Sequence, residues 1–125
     1  MQDILIVGVG GFVGSTLRLK LGGWILHHSE SWRFPLSTFV INILGCLVIG
    51  LLAGLDERYQ LFNQQTRLLL FAGLLGGFTT FSAFGFETVY LLRMSEWQAA
   101  IGNVTLSVVC GIAAVYFGTK IVAQF

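Results

Sequence analysis

The sequence predicts an all-α membrane protein in which each chain contributes four transmembrane helices. Apolar residues make up 55% of the 125 residues and charged residues only 10%, whereas an ordinary soluble domain carries about 25% charged residues. The mean hydropathy of +0.81 is also too high for one small soluble core. The longest charge-free runs contain 22, 19 and 23 residues, and they lie between Arg33 and Asp56, Arg67 and Glu87, and Glu96 and Lys120.

These runs place the helices, because about 20 apolar residues are needed to cross a bilayer. We predict helices at 36–55, 67–93 and 98–123, and Pro35 suits the first turn of the earliest of these. The first span, 4–26, is interrupted by charged residues in its second half. It is predicted to be a retained helix, since no basic segment precedes it as in a cleaved signal. Residues 1–125 are thus predicted to form a single four-helix subunit.

The third helix is predicted to be broken at its centre. The nine residues at its middle are GGFTTFSAF, 76–84. Glycines and hydroxyl residues at such a depth release backbone groups that lipid cannot satisfy, so the break must be buried in protein or line a polar path. It therefore indicates an ion or solute site rather than a lipid anchor.

The distribution of basic residues hardly determines the orientation of the chain in the membrane. With four spans both termini lie on one side, which holds three basic residues, while the other side holds four; the positive-inside rule requires an excess. A chain that inserts both ways can pair with its inverted copy about a twofold axis in the membrane plane. The break near Thr80 lies at the depth of such an axis. We therefore predict an antiparallel homodimer, with a single dominant orientation as the alternative.

Aromatic and polar residues near the break are candidates for an ion pathway. Phe81 and Phe84 are three residues apart and share one helix face. Thr80 and Ser82 flank the first of them. The positive edge of an aromatic ring attracts an anion weakly, which suits passage. Asn42 is the strongly polar residue in the body of the second helix; it either faces the path as a donor or makes an interhelical hydrogen bond.

Other intramembrane polar residues allow two interpretations each. One stripe of the fourth helix has a polar or small residue at every fourth position: Asn103, Ser107 and Gly111. This stripe either lines the pathway or packs against another helix. Arg18 either attracts anions at a vestibule or extends to lipid headgroups. Glu87 either pairs with a basic residue or lies at an entrance.

Glycine pairs four residues apart predict close helix packing, and they are Gly10 and Gly14, Gly50 and Gly54, and Gly73 and Gly77. The opening glycines also imitate a dinucleotide-binding turn, but Val13 occupies the last glycine position and no alternating strands and helices follow. No nucleophile–base set is evident, so we do not expect an enzyme. The net charge of +1 gives no reason to expect nucleic-acid binding.

Together these residues resemble the Fluc family of fluoride channels, also called CrcB proteins. The resemblance rests on Gly10-Gly11 with Gly14 and Arg18, on Pro35-Leu36-Ser37-Thr38 with Asn42 and Gly45, and on Gly73, 76–84 and Glu87. It implies a dual-topology dimer with two narrow anion pathways, along which Phe81 and Phe84 supply ring edges and Asn42 an amide donor. It also implies that the backbone carbonyls of Gly76 and Thr79 meet their copies at the twofold axis and hold one structural Na⁺.

The chain departs from the family pattern in its polar residues. Ser37 replaces the usual Gly and Ala83 the usual Thr, and some members have Tyr at Asn103 and Ser at Gly111. The resemblance implies a multi-pass protein of the bacterial inner membrane that exports F⁻ passively, with a second copy, fluoride and lipid as partners. One alternative is a small multidrug-resistance-type, proton-coupled cation exporter, which needs a carboxylate well inside a helix. Another is an assembly subunit that transports nothing.

Overall fold

The computed structural model describes residues 1–124, and four helical spans in it are long and apolar enough to cross a membrane. They are α1 (Gln2–His28), α2 (Leu36–Tyr59), a third span (Gln64–Arg93) and α6 (Trp97–Ala123). The four predicted helices are confirmed. The largest difference is at the end of α2, which runs four residues beyond the predicted 55, through Asp56, to Tyr59. Gln60 then adopts a left-handed conformation with φ 51°, and its N–H donates to the Asp56 carbonyl.

The third span is not one continuous helix. It consists of α3 (Gln64–Arg67), a π-helix (Leu68–Leu75), α4 (Gly76–Phe78) and α5 (Phe81–Arg93). Asn63 begins it, because its side chain accepts a hydrogen bond from the Thr66 N–H at 2.8 Å. Between α4 and α5 the backbone is extended, with ψ values of 161° at Thr79 and 114° at Thr80. The predicted break is therefore present, and the π-helix before it was not predicted.

Glycines bring two pairs of helices into backbone contact. In the first pair, α1 packs on the third span: a Cβ on Gly10 would lie 2.9 Å from the Gly73 Cα. In the second pair, α2 packs on α6, and a Cβ on Gly118 would lie 2.8 Å from the Leu47 carbonyl oxygen. Gly50 likewise contacts the Val115 backbone. Real side chains do not fit at these distances, so the glycine pattern predicted the packing correctly.

Ion pairs and hydrogen bonds join the helix ends on both sides of the molecule. On the side of the termini, Arg67 pairs with Asp56 at 2.8 Å, and Arg58 donates to the Ala123 carbonyl at 2.8 Å. On the opposite side, Arg33 pairs with Glu96. The surface between these ends is apolar. Its helix faces therefore require lipid or another protein surface around them.

Candidate functional site

Asn42 on α2 holds the break of the third span through both polar atoms of its side chain. Its Oδ1 accepts from the Thr80 N–H at 2.8 Å, and its Nδ2 donates to the Thr80 carbonyl at 3.0 Å. The interhelical hydrogen bond predicted for Asn42 is thus observed. An amide nitrogen carries two hydrogens, and Thr80 accepts one of them. The second hydrogen leaves Asn42 able to donate to another group.

The carbonyls of Gly76 and Thr79, at the break, have hydrogen bonding that differs from that of an unbroken helix. In an unbroken helix the Thr80 N–H would donate to Gly76, but it donates to Asn42 instead. The Thr79 carbonyl accepts from Arg18 Nη1 at 3.1 Å and keeps its second lone pair. Neutral carbonyl oxygens are ligands that hard cations prefer. The donor set at Gly76 and Thr79 therefore fits the predicted Na⁺, although Thr79 already contacts a guanidinium.

Arg18 lies beside the break, because its guanidinium reaches Thr79 from the half-buried middle of α1. This contact differs from the headgroup position that was one of its two predicted alternatives. Its electrostatic role in a vestibule stays a prediction.

Phe81 and Phe84 lie together on the first turn of α5. Their ring centroids are 5.4 Å apart and the planes are tilted by 38°. Thr80 begins this helix, since its hydroxyl accepts from the Ala83 N–H at 3.2 Å, and it also lies 3.3 Å from the Ser82 hydroxyl. Phe81 is 83% exposed. The two rings and two hydroxyls therefore form one cluster, and the chain leaves most of the first ring uncovered.

A cavity of about 420 Å³ lies against the break. The residues predicted for the pathway or the metal that line it are Asn42, Gly76, Thr79, Thr80, Phe81 and Ser107. The rest of its wall is apolar or small, and the described residues that line it include none with a charged side chain. Phe84, Ser82, Asn103, Arg18 and Glu87 lie outside this lining. The structure thus places about half of the predicted site around one neutral cavity.

Glu87 is bound to α2 by a residue that was not among the predicted site residues. The Thr38 hydroxyl donates to Glu87 Oε1 at 2.6 Å. Within residues 1–124, Glu87 Oε2 is buried and has no hydrogen-bond partner. A basic partner was one of the two alternatives predicted for Glu87, and no ion pair with it is present within residues 1–124; the Thr38 hydroxyl is the observed contact. Only the family resemblance had pointed to Thr38.

Asn103 connects α6 to α5, and Ser107 bonds to Asn103 within α6. Asn103 is 1% exposed, and its Nδ2 donates to the Thr88 hydroxyl at 2.9 Å. The Thr88 hydroxyl in turn donates to the Phe84 carbonyl at 2.8 Å. Ser107 reaches the Asn103 Oδ1 at 3.4 Å and lines the cavity. No sequence pattern pointed to Thr88, since a threonine four residues after a phenylalanine is ordinary in a helix.

The fold and this cavity define a small membrane protein of four spans whose broken third span lines a neutral cavity. Residues 5–119 match the family described as CrcB-like protein, Camphor Resistance (CrcB), and the chain belongs to that family. The chain is 47% identical to the fluoride-specific ion channel FluC of Methylobacillus flagellatus, an alignment that covers 98% of this chain and 95% of the relative.

Other relatives agree with this assignment. The chain is 43% identical to fluoride-specific ion channel FluC 1 of Methanosarcina acetivorans, over 94% of this chain and 88% of that one. It is 41% identical to the FluC of Oceanobacillus iheyensis, over 97% and 92%. The predicted resemblance is confirmed. The family is one of ion channels, a class of transporter and not of enzyme.

Proposed function

We propose that the chain is a fluoride-selective channel subunit through which F⁻ leaves a bacterial cell passively across the inner membrane. The observation that carries the proposal is the uncharged cavity at the break, where Asn42, Thr80 and Ser107 bring amide and hydroxyl groups beside Phe81. The names of the relatives support fluoride as the ion. They do not favour the proton-coupled cation exporter.

The proposed permeation chemistry replaces the water of F⁻ with neutral groups. The second amide hydrogen of Asn42 and the hydroxyls of Thr80 and Ser82 donate to the ion, and the ring edges of Phe81 and Phe84 face it. Conduction requires binding that is favourable enough for arrival and weak enough for release. Neutral donors and ring edges meet this requirement, because each of them attracts the anion less strongly than a charged side chain in direct contact with it would.

Three charged or polar residues outside the cavity lining complete the proposed route. Arg18 adds a positive potential beside the break through its contact with Thr79. Glu87 follows Phe84 by three residues on α5 and accepts a hydrogen bond from Thr38. Asn103 of α6 is buried behind the lining and accepts a hydrogen bond from Ser107, which itself lines the cavity.

The proposed assembly is an inverted homodimer within lipid. Phe81 is 83% exposed in one chain, so one side of the proposed pathway is open at this ring. A second copy that covers this face supplies the wall, and the three-to-four balance of basic residues favours insertion in both orientations. Two copies give two equivalent pathways. Lipid covers the remaining apolar faces.

The proposed dimer holds one structural Na⁺ at its twofold axis through the carbonyls of Gly76 and Thr79 and their copies. The support in this chain is the Gly76 carbonyl, whose helical donor is bound to Asn42 instead. When bound, the ion supplies a positive charge near the bilayer centre and favours an anion nearby. Through their shared coordination of the ion, these carbonyls would link the third spans of the two copies.

The test is a halide-flux measurement on the purified protein in liposomes. Vesicles loaded with potassium fluoride should release F⁻ when a potassium ionophore clamps the voltage, and vesicles loaded with potassium chloride should retain Cl⁻. Protein-free vesicles are the control. Equal release of both halides would contradict selectivity, and absence of release would favour the assembly subunit.

A further inference from the structure

A hydrogen-bonded chain connects the cavity wall on α6 to the backbone of a pathway phenylalanine on α5. It runs from the Ser107 hydroxyl to Asn103 Oδ1 (3.4 Å), from Asn103 Nδ2 to the Thr88 hydroxyl (2.9 Å) and from that hydroxyl to the Phe84 carbonyl (2.8 Å). Asn103 is 1% exposed. A buried amide without partners is costly, so the pairing with Thr88 is strongly favoured.

Thr88 is the central residue of this chain because its single hydroxyl serves two groups. It accepts from α6 and donates within α5, which uses both capacities of a threonine oxygen. Phe84 and Thr88 are four residues apart and share one face of α5. A displacement at Thr88 therefore moves the turn that carries Phe84.

α5 needs such an attachment more than a continuous helix would. The extended residues Thr79 and Thr80 precede it, so α4 does not fix its rotation. Because a side chain extends about 5–6 Å from the helix axis, a rotation of about 10° moves a ring by about 1 Å. An error of about 1 Å in the position of a reacting or binding group can change a rate by orders of magnitude.

We propose that Thr88, paired with Asn103, is a positioning residue that sets the place of the Phe84 ring along the ion pathway. The inference rests on the proposed function. It assigns to Asn103 an indirect role: the buried amide orients Thr88 and does not meet the ion.

The variants Thr88→Val and Thr88→Ser separate positioning from general stability. Thr88→Val keeps the shape but removes both hydrogen bonds, and we expect fluoride efflux to fall about tenfold, with a lower F⁻/Cl⁻ selectivity. Thr88→Ser retains the hydroxyl, and we expect it to restore efflux to within about twofold of the unmodified chain. The matched control is Thr16→Val, because the Thr16 hydroxyl donates to the Phe12 carbonyl in an exposed position without an interhelical partner.

Asn103→Leu provides a second approach if Thr88→Val does not fold. It removes the same interhelical bond from the α6 side, and we expect the same loss of fluoride efflux. The double variant Thr88→Val with Asn103→Leu should pass F⁻ no more slowly than either single variant. Losses that multiply would overturn the inference, and so would efflux by Thr88→Val equal to that of the unmodified chain or equal losses in Thr88→Val and Thr88→Ser. An unmodified chain that fails to pass F⁻ would instead overturn the proposed function, so the two failures are distinguishable.

Discussion

Phe81 is the pathway residue whose proposed role depends least on the packing of its own chain. It is 83% exposed, so its replacement removes little intrachain contact. We expect Phe81→Ile to lower fluoride efflux at least about tenfold, because an aliphatic side chain has no positive ring edge for the anion. The measurement is initial fluoride efflux from liposomes at matched protein density.

The matched control for this substitution is Phe86→Ile on the same helix. Phe86 is 75% exposed and lies outside the cavity lining, so we expect efflux within about twofold of the unmodified protein. Gel filtration in detergent should show the same elution volume for both variants. Undiminished efflux by Phe81→Ile would remove that ring from the pathway.

At the residue scale, the sequence identified the polar residues that lie near the break better than it predicted their partners. Asn42 was expected either to face the path or to bond between helices, and its bonds to Thr80 together with its spare hydrogen allow both. The contact of Arg18 with Thr79 and that of Asn103 with Thr88 could not be predicted. Such contacts depend on how each helix is rotated, and apolar residues all around a membrane helix leave that rotation undetermined.

At the element scale, the break was predictable and the π-helix before it was not. A central run of glycines and hydroxyl residues indicates broken backbone bonding from composition alone. The π-helix Leu68–Leu75 consists mainly of Leu and Ala, which are strong helix formers, so its composition does not set it apart from an ordinary α-helix. A Cβ on Gly10 would lie 2.6 Å from the Leu69 carbonyl oxygen. Such close backbone contact selects a local geometry that no pattern within 68–75 reveals.

Gly14 on α1 is a point where this contact can be tested. A Cβ there would overlap the Leu74 carbonyl and lie 2.8 Å from the Phe78 N atom. We expect Gly14→Ala to lower stability by about 1–3 kcal/mol, because both neighbours are backbone atoms that cannot move aside cheaply. Thermal unfolding in detergent, monitored by circular dichroism, measures the change.

Gly8→Ala on the same helix is the matched control. A Cβ on Gly8 meets no atom within 4 Å. We expect this variant to be neutral or up to about 1 kcal/mol more stable, since alanine has the higher helix propensity. Equal shifts in the two unfolding temperatures would show that close packing at Gly14 is not the cause.

For the whole molecule, the four spans followed from the positions of the charges, and close packing of helices followed from the glycines, which did not indicate which spans pair. The sequence left the balance of orientations open, because the numbers of basic residues on the two sides are nearly equal. Several are engaged: Arg33 with Glu96, and Arg67 with Asp56. Because the positive-inside rule counts basic residues and acidic residues contribute little to it, these ion pairs leave the count of three against four unchanged.

The orientation prediction can be tested with one new cysteine on each side of the membrane. Glu30→Cys places a thiol in the loop after α1, and Gln60→Cys places one in the loop after α2; both positions are exposed. With dual topology, a membrane-impermeant maleimide added to intact cells should label about half of each variant, because three basic residues against four do not select an orientation. The unmodified chain, whose Cys46 and Cys110 lie within spans, gives the background. Full labelling at one position with none at the other would establish a single orientation, and the proposed inverted homodimer would then be wrong.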